Sequence, residues 1–219
     1  MSVGPRILAD DGDGRRVAAD ILRGGGIVAL PTDTVYGIGC RLDAPRGIER
    51  LFEVKGRPPD RAIMLLLADA AQAEEIALMP DAAVALAAAF WPGGLSLVVP
   101  QRPDVRFPPI LTAATPTIGL RVPDHPCPTA LAAAVGPLPT TSANRSGEPE
   151  ASTATEIAAR LGSGLDLIVD GGPAQGGPAS TVVDCSGRAP RVLRAGAIDA
   201  GRIAAVLEEA GLEHAIDLS

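Results

Sequence analysis

Residues 27–39 read IVALPTDTVYGIG, an apolar run of strand length that passes directly into polar, turn-forming residues. Open α/β sheets place their ligands in the loops that follow the carboxyl ends of strands. Thr32, Asp33 and Thr34 are therefore candidates for ligand contacts, although Asp33 fits a turn residue or a helix cap equally well. The stretch predicts a buried strand followed by a polar loop.

Helical and strand patterns alternate along the rest of the chain. Residues 11–26 have apolar side chains at helical spacing, residues 62–69 form an apolar run of strand length, and residues 126–136 have the pattern of a helix with proline in its first turn. The alternation predicts an α/β protein, and several short strands in succession after residue 164 favour a mixed sheet over a parallel one. No Ser- or Pro-rich linker divides the chain, so we predict a single domain over residues 1–219.

The composition argues against two classes of nucleic-acid-binding protein. The formal net charge is −7 and the pI is about 4.8, whereas a general nucleic-acid binder normally has a basic domain. Aromatic residues make up 2% of the chain, which leaves few stacking surfaces for single strands. A local basic pocket for a small anion remains compatible with this composition.

Cysteine spacing and hydropathy indicate an ordinary intracellular protein. Cys40, Cys127 and Cys185 show neither a pairing pattern nor the spacing of metal ligands. The chain contains no apolar segment of signal-peptide length at its start and no run of about 18 apolar residues. We therefore expect a soluble cytoplasmic protein that has no contact with a membrane.

The familiar catalytic motifs are missing from this sequence. It has no phosphate loop, no G-x-G-x-x-G after a strand and no H-E-x-x-H. Its two histidines, His125 and His214, lie far apart and near no obvious serine or cysteine nucleophile, which disfavours a hydrolase with a covalent intermediate. An enzyme with this sequence would act through binding, orientation and electrostatics.

The most basic loop of this acidic chain lies within residues 52–65, FEVKGRPPDRAIML. Its Lys55 is the one lysine of the chain, and lysine offers a compact point charge where arginine offers a planar fork. Arg57 precedes two prolines, which restrict the backbone around it. The loop predicts a phosphate or other anion site, with a solvated turn balanced by Glu53 and Asp60 as the equally weighted alternative.

A polar segment, LPTTSANRSGEP, covers residues 138–149. Thr140, Ser142 and Asn144 carry small hydroxyl and amide groups, and Gly147 allows a tight turn. Such segments donate hydrogen bonds to phosphate or carboxylate groups, although an ordinary polar turn before a helix explains the pattern as well.

Two arginines and a glycine-rich segment complete the candidates. Arg121 and Arg194 each end a strand-like run, where a guanidinium could clamp a carboxylate or phosphate. Residues 170–184 have the pattern of a glycine-rich flap ahead of a strand. Taken alone, an arginine at a strand end carries little functional information.

Taken together and in order, seven segments resemble the YrdC-type threonylcarbamoyl-AMP synthases, from about Gly24 to Ile198. The segments are PTDTVYGIG, KGRPPDRAIML, WPGGLSLVV, TIGLRVPDHP, TSANRSGEP, GGPAQGGPASTVVD and VLRAGAI. Each motif is weak alone, but seven in register are specific. The resemblance implies a twisted, open, mixed β-sheet flanked by helices, with a concave positive groove.

The resemblance also implies a reaction. The family condenses L-threonine, bicarbonate or CO2, and ATP into threonylcarbamoyl-adenylate and releases pyrophosphate. A tRNA threonylcarbamoyltransferase complex then uses the product to modify adenosine-37 of tRNAs that read ANN codons. Mg²⁺ would enter with ATP, because no direct metal-ligand motif is present.

The same resemblance assigns residues to the binding of the two substrates, ATP and threonine. The ATP-binding residues would be Lys55, Arg57, Arg61, Thr117, Ser142, Asn144, Glu150 and Arg194. Among them, Lys55 and Arg57 would act as catalytic groups that stabilise charge at the α-phosphorus together with Mg²⁺. The threonine-binding residues would be Thr34, Arg121, Thr140 and Ser180, with the Arg121 guanidinium on the carboxylate.

Some positions depart from the family pattern. Arg61 stands where one branch has lysine and another asparagine, and Leu66 stands where longer members carry a histidine near threonine. The sequence stops at Ser219, so we expect the short, single-domain form. The alternative function is a non-catalytic RNA-binding or ribosome-assembly module on the same fold, and weak RNA binding is compatible with either function. A third alternative is another transferase that uses the same carbamoyl-adenylate chemistry. The hydrogenase-maturation proteins contain a similar domain within a much longer chain that has zinc-binding segments, and this sequence has none.

Overall fold

The computed structural model describes residues 4–174 and 176–217. The strands in this part of the chain are β1 (Arg6–Ala9), β2 (Val28–Leu30), β3 (Gly37–Gly39), β4 (Met64–Leu66), β5 (Leu95–Pro100), β6 (Thr117–Arg121), β7 (Leu138–Ser142), β8 (Leu167–Asp170), β9 (Thr181–Asp184) and β10 (Arg191–Arg194). They form one sheet in the spatial order β1-β8-β2-β3-β7-β4-β6-β5-β9-β10.

Parallel and antiparallel pairs are mixed within this sheet. Strand β8 runs parallel to β1 and β2, β4 runs parallel to β6, and β5 runs parallel to β9. Strand β3 is antiparallel to β2 and β7, and β7 is antiparallel to β4. The predicted mixed α/β sheet is therefore confirmed.

Helices cover both faces of the sheet. They are α1 (Gly12–Arg23), α2 (Pro45–Lys55), α3 (Ala70–Ile76), α4 (Asp81–Phe90), α5 (Pro109–Thr112), α6 (Pro126–Val135), α7 (Ala154–Leu161) and α8 (Ala200–Glu209), with a 3₁₀ turn at Gly162–Gly164. Within the described residues, no helix combines the length and apolar character needed to span a bilayer.

Two apolar cores lie on opposite faces of the sheet, because successive strand residues point in opposite directions. Val28 and Leu30 of β2 pack with Leu22 of α1 and Leu131 of α6 in the smaller core. Ala29 joins the larger core, which also contains side chains from α2, α3, α4, α7 and α8. A fully buried leucine or isoleucine contributes about 1.5–3 kcal/mol, so these two layers account for much of the folding free energy.

The structure corrects the sequence prediction at β3 and β7, which both lie in segments expected to be polar loops. The two strands pair because glycine leaves room for a threonine side chain between them. A Cβ on Gly37 would lie 2.7 Å from Thr140 Cγ2, and one on Gly39 would lie 2.8 Å from Thr140 Oγ1. Glycine has a low strand propensity, so the local sequence pattern misses a strand whose formation depends on this close approach.

The end of α2 sets the position of the basic loop. Lys55 is the last residue of the helix, and Gly56 has a left-handed conformation with φ of 60°. The Gly56 and Arg57 backbone N–H groups donate to the carbonyls of Glu53 and Phe52 at 3.0 Å, which closes the helix. The chain therefore turns sharply between Lys55 and Arg57, and the two cations point to different neighbours.

Candidate active site

A cavity of about 190 Å³ opens to solvent where the loop after β2 meets β7 and the segment before β9. The predicted ligand-binding residues that line it are Thr34, Arg57, Arg121, Thr140, Ser142, Glu150, Ser180 and Arg194. Three arginines thus face one carboxylate, which makes this concave surface positive. The topology collects side chains from seven separate segments of the chain at one place.

Arg121 lies on the cavity wall at the end of β6, with 6% of its surface exposed. Its Nε donates to Gly93 O at 2.9 Å, its Nη1 to Thr34 Oγ1 at 3.0 Å and its Nη2 to Asp33 Oδ1 at 2.7 Å. Burial lowers the pKa of Arg121, and the Asp33 carboxylate opposes this shift. Asp33 is therefore the ion-pair partner of Arg121, a role that the sequence left open.

Three of the five N–H groups of Arg121 are used by these bonds. The remaining two are one hydrogen on each terminal nitrogen, and neither has a partner within the described residues. Such unpaired guanidinium N–H groups can donate to the oxygens of a carboxylate. The cavity wall therefore presents a fixed guanidinium with two unpaired N–H groups.

The loop after β2 is held in shape by its own polar side chains. Thr32 Oγ1 donates to Val35 O at 2.6 Å and accepts from the Thr34 backbone N–H at 3.1 Å. The Tyr36 hydroxyl donates to Gly172 O at 2.6 Å, which ties this loop to the glycine-rich segment after β8. The Thr34 hydroxyl is thereby held against Arg121 in a preorganised arrangement.

The Lys55 side chain binds the turn after β7. Its Nζ donates to Ser142 O at 2.6 Å, to Ser142 Oγ at 2.9 Å and to Asn144 Oδ1, which uses all three ammonium hydrogens. Burial, reinforced by the charge of Arg57, lowers the pKa of Lys55 to about 8, while Glu150 opposes the shift. Contact with a phosphate would require Lys55 to exchange one of these bonds.

Arg57 and Arg194 form a cationic rim on the cavity. Arg57 donates to Arg61 O at 2.9 Å and to Ala62 O at 2.6 Å, and Arg194 Nη2 donates to Ser180 O at 2.8 Å. Burial lowers the pKa of Arg57, and the positive charges of Arg61 and Arg194 lower it further. An anion placed between these like charges would relieve their repulsion.

Four residues predicted to bind ATP do not line the cavity: Lys55, Arg61, Thr117 and Asn144. Arg61 is exposed and contributes its carbonyl to Arg57, and Thr117 Oγ1 lies 3.0 Å from Thr115 Oγ1. Asn144 is buried beneath Ser142, where its Oδ1 accepts from Ser142 Oγ at 2.7 Å. Lys55 and Asn144 therefore support the wall, while Arg61 and Thr117 lie outside it.

Ser96 is a cavity residue that the sequence reasoning missed. It lies on β5, it is 1% exposed, and its Oγ is 2.8 Å from Ser180 Oγ. The signal was a single hydroxyl in the otherwise apolar run LSLVV. A buried hydroxyl within such a strand needs a hydrogen-bond partner, and that requirement indicates a polar site beside the strand.

The side chains present do not form a resident metal site. Within residues 4–174 and 176–217, no group of three or more His, Cys, Asp or Glu side chains is placed to hold a metal ion. Glu150 is the one carboxylate among the described residues that line the cavity. A divalent cation at this place would therefore need most of its ligands from a bound molecule.

Relatives with known names were identified by sequence and by structure. A threonylcarbamoyl-AMP synthase of Bacillus subtilis (strain 168) is 40% identical over 192 residues, which cover 87% of this chain and 55% of that protein. The structure of P. abyssi Sua5 complexed with L-threonine matches with a TM-score of 0.86 and 32% identity, covering 99% of this chain and 63% of that one. The structure of E. coli YciO matches with a TM-score of 0.79 and 30% identity, covering 91% of this chain and 98% of that one.

These matches differ in how much of each relative they cover. The chain spans little more than half of the B. subtilis protein and less than two thirds of Sua5, but nearly all of YciO. A family model described as "Telomere recombination", which groups Sua5, YciO and YrdC, matches residues 20–196. The chain belongs to the Sua5/YciO/YrdC family.

Proposed function

We propose that this protein is a threonylcarbamoyl-AMP synthase, which forms threonylcarbamoyl-adenylate and pyrophosphate from L-threonine, bicarbonate or CO2, and ATP. The observation that carries the proposal is the buried Arg121, with two unpaired N–H groups, beside the cationic rim of Arg57 and Arg194. One end of the cavity thus suits a carboxylate and the other suits a polyphosphate. The names of the relatives support the same reaction.

The amino-acid end of the cavity combines polar and apolar surface. Arg121 would bind the carboxylate of threonine, and the hydroxyls of Thr34, Thr140 and Ser180 would contact its remaining polar groups. Apolar contacts for the substrate methyl group are available from Ala62, Ile63, Met64 and Leu66, which line the same cavity. One methyl group in an apolar pocket is worth about 1–3 kcal/mol, so we expect modest discrimination against serine.

The phosphate end depends on the rim and on the turn that supports it. Arg57 and Arg194 would bind phosphate oxygens directly, with Glu150 at the edge of the cavity, and Ser142 would have to release its hydrogen bond to Asn144 before its hydroxyl could donate to a phosphate. Lys55 would hold the Ser142 turn in the free protein and supply positive charge behind it.

The reaction needs no protein nucleophile. The neutral amine of bound threonine takes up CO2 and loses a proton to become a carbamate, and a carbamate oxygen attacks the α-phosphorus of ATP. The bond from that phosphorus to the bridging oxygen breaks, and pyrophosphate leaves. Arg121 would orient the attacking molecule, while Arg57 and Arg194 would stabilise the charge that develops on the phosphoryl oxygens.

Three further parts of the assignment are proposals of the same kind. Mg²⁺ would enter bound to the phosphates of ATP. The product would pass to a tRNA threonylcarbamoyltransferase in the cytoplasm. The chain would act as one domain, since the ten strands of its described residues belong to one sheet.

The test is pyrophosphate release from ATP and bicarbonate, with and without L-threonine, together with mass spectrometry of the adenylate. We expect threonine-dependent release from the wild type, and loss of at least tenfold in Arg121→Gln and Lys55→Ala. Arg50→Gln, at a half-exposed ion pair outside the cavity, is the control and should retain activity. Folded wild type that releases no pyrophosphate under any of these conditions would exclude the synthase and favour the RNA-binding module.

A further inference from the structure

Two buried hydroxyl groups lie side by side on the cavity wall. Ser96 is 1% exposed and Ser180 is 5% exposed, and their Oγ atoms are 2.8 Å apart. Both residues line the cavity that also contains Arg121 and Arg194. Buried hydroxyl groups in proteins are normally fully hydrogen-bonded, so the partners of this pair can be counted.

The count leaves one hydrogen atom over. Each hydroxyl has a single hydrogen, and one of the two is used in the bond between Ser96 and Ser180. Ser180 Oγ also accepts from Arg194 Nη2 at 3.1 Å, which uses a lone pair and no hydroxyl hydrogen. Whichever serine donates within the pair, the hydrogen of the other has no acceptor among the described residues.

The strand register places this spare donor beside Arg121. Leu97 of β5 is opposite Leu120 of β6, so these two side chains point to the same face of the sheet. Ser96 and Arg121 are the next residues toward the same end of the pair, and both therefore point to the opposite face. Ser96 and Arg121, which both line the cavity, thus lie side by side on one face of the sheet.

We propose that Ser96 is a further specificity-determining residue: Ser180 donates within the pair, and Ser96 donates the spare hydrogen to an oxygen atom of the bound amino acid. The acceptor is either the carboxylate or the side-chain hydroxyl, since both are oxygen acceptors within reach of a group held by Arg121. This inference rests on the proposed function, because it takes an amino acid as the ligand of this end of the cavity.

The experiment measures threonine binding by calorimetry, and KM and kcat by pyrophosphate release, for wild type and Ser96→Ala. We expect a Kd and a KM for threonine that are about 3- to 10-fold higher, with the KM for ATP unchanged, as for the loss of one hydrogen bond. Ser96→Thr retains a hydroxyl and should restore threonine binding to within about twofold. In Ser96→Cys a thiol, which is a weak hydrogen-bond donor, takes the place of the hydroxyl while the side chain keeps a similar shape. This variant is measured in place of Ser96→Ala if Ser96→Ala does not fold.

Thr181→Val is the matched control. Thr181 is adjacent to Ser180 and equally buried, but its hydroxyl donates to Ile198 O at 2.7 Å and does not line the cavity. This substitution should lower stability without changing threonine binding. If Thr181→Val lost as much threonine affinity as Ser96→Ala, the loss in Ser96→Ala would reflect general destabilisation of this region. That result would overturn the proposal.

A second ligand identifies the acceptor. 2-Aminobutyrate has the carboxylate and methyl group of threonine but lacks its hydroxyl. Equal weakening of both ligands in Ser96→Ala would assign the hydrogen to the carboxylate, whereas weakening of threonine alone would assign it to the side-chain hydroxyl. Unchanged binding of both ligands overturns the inference, and a wild type that binds no threonine overturns the proposed function itself.

Discussion

The ammonium nitrogen of Lys55 lies 2.6 Å from the carbonyl oxygen of Ser142, a residue 87 positions further along the chain. This contact joins the end of α2 to the end of β7, the central strand that carries Thr140 and Ser142 into the cavity. A buried ammonium with three oxygen partners and no carboxylate bonded to it is an unusual way to join two elements. It gives the site a titratable group near neutral pH.

The stability of the protein should increase relative to Lys55→Met as the pH rises from 8 toward 10.5. Burial lowers the pKa of Lys55 to about 8, whereas its value is 10.5 when the side chain is fully solvated. Within that window the unfolded chain binds more protons than the folded one, so the free energy of unfolding rises, by at most about 1.4 kcal/mol per pH unit. Urea unfolding of both proteins at pH 7, 8, 9 and 10 measures the difference. A constant difference would mean that Lys55 keeps an ordinary pKa.

The ion pair of Arg121 and Asp33 should be far more sensitive to truncation than a surface pair. Arg121→Gln leaves the Asp33 carboxylate without its charged partner, and breaking a buried pair in this way costs about 3–5 kcal/mol. Arg50→Gln breaks a pair with Asp166 in which both side chains are more than a third exposed, and this should cost about 1 kcal/mol or less.

Urea unfolding at pH 7 compares these two variants. Adding Asp33→Asn to Arg121→Gln should recover part of the lost stability, because it removes the unpaired carboxylate. Equal losses for Arg121→Gln and Arg50→Gln would contradict the view that Arg121 is held by a desolvated pair.

The sequence predicted the class of fold and several of the residues that line the cavity, because both depend on patterns that remain visible in a single chain. Alternating helical and strand segments identify the mixed sheet, and polar residues after strands identify the loop that contains Thr34. The polar segment of residues 138–149 does contribute side chains to the cavity, but its first five residues form the strand β7 and not a loop. Its strand pairing depends on glycines in β3, and such pairing across the sheet is not visible in local propensity.

The direction in which a side chain points was the second feature that the sequence did not predict. Lys55 and Arg57 are two residues apart, yet Arg57 lines the cavity and Lys55 binds the turn behind it. Gly56, in a left-handed conformation at the helix end, separates them. Ser96 was not predicted for a related reason. Its hydrogen-bond partner Ser180 is 84 residues away, so the sequence around Ser96 gives no sign of the pair.

Gly196→Ala should damage the segment that holds Ser180. A Cβ at Gly196 would lie 2.2 Å from Ala179 O and 2.6 Å from Ser180 C, and backbone atoms of this kind cannot move aside as a flexible side chain can. We expect the free energy of unfolding to fall by about 1–3 kcal/mol, with a higher KM for threonine. Gly187→Ala, where a Cβ meets nothing within 4 Å, should change neither. A Gly196→Ala protein as stable and active as the control would show that this close approach is not required.

Removal of Mg²⁺ should separate the two ends of the cavity. The amino-acid end depends on Arg121 and neutral hydroxyl groups, so calorimetric binding of threonine should be unchanged in EDTA. Pyrophosphate release should stop in EDTA, because Glu150 is the one carboxylate of the lining and the cation would have to enter with ATP. At fixed ATP, the rate should therefore rise with Mg²⁺ until ATP is saturated and then remain level. Loss of threonine binding in EDTA would place a metal ion at the amino-acid end, and a continued rise of the rate beyond saturation would indicate a second, protein-bound cation.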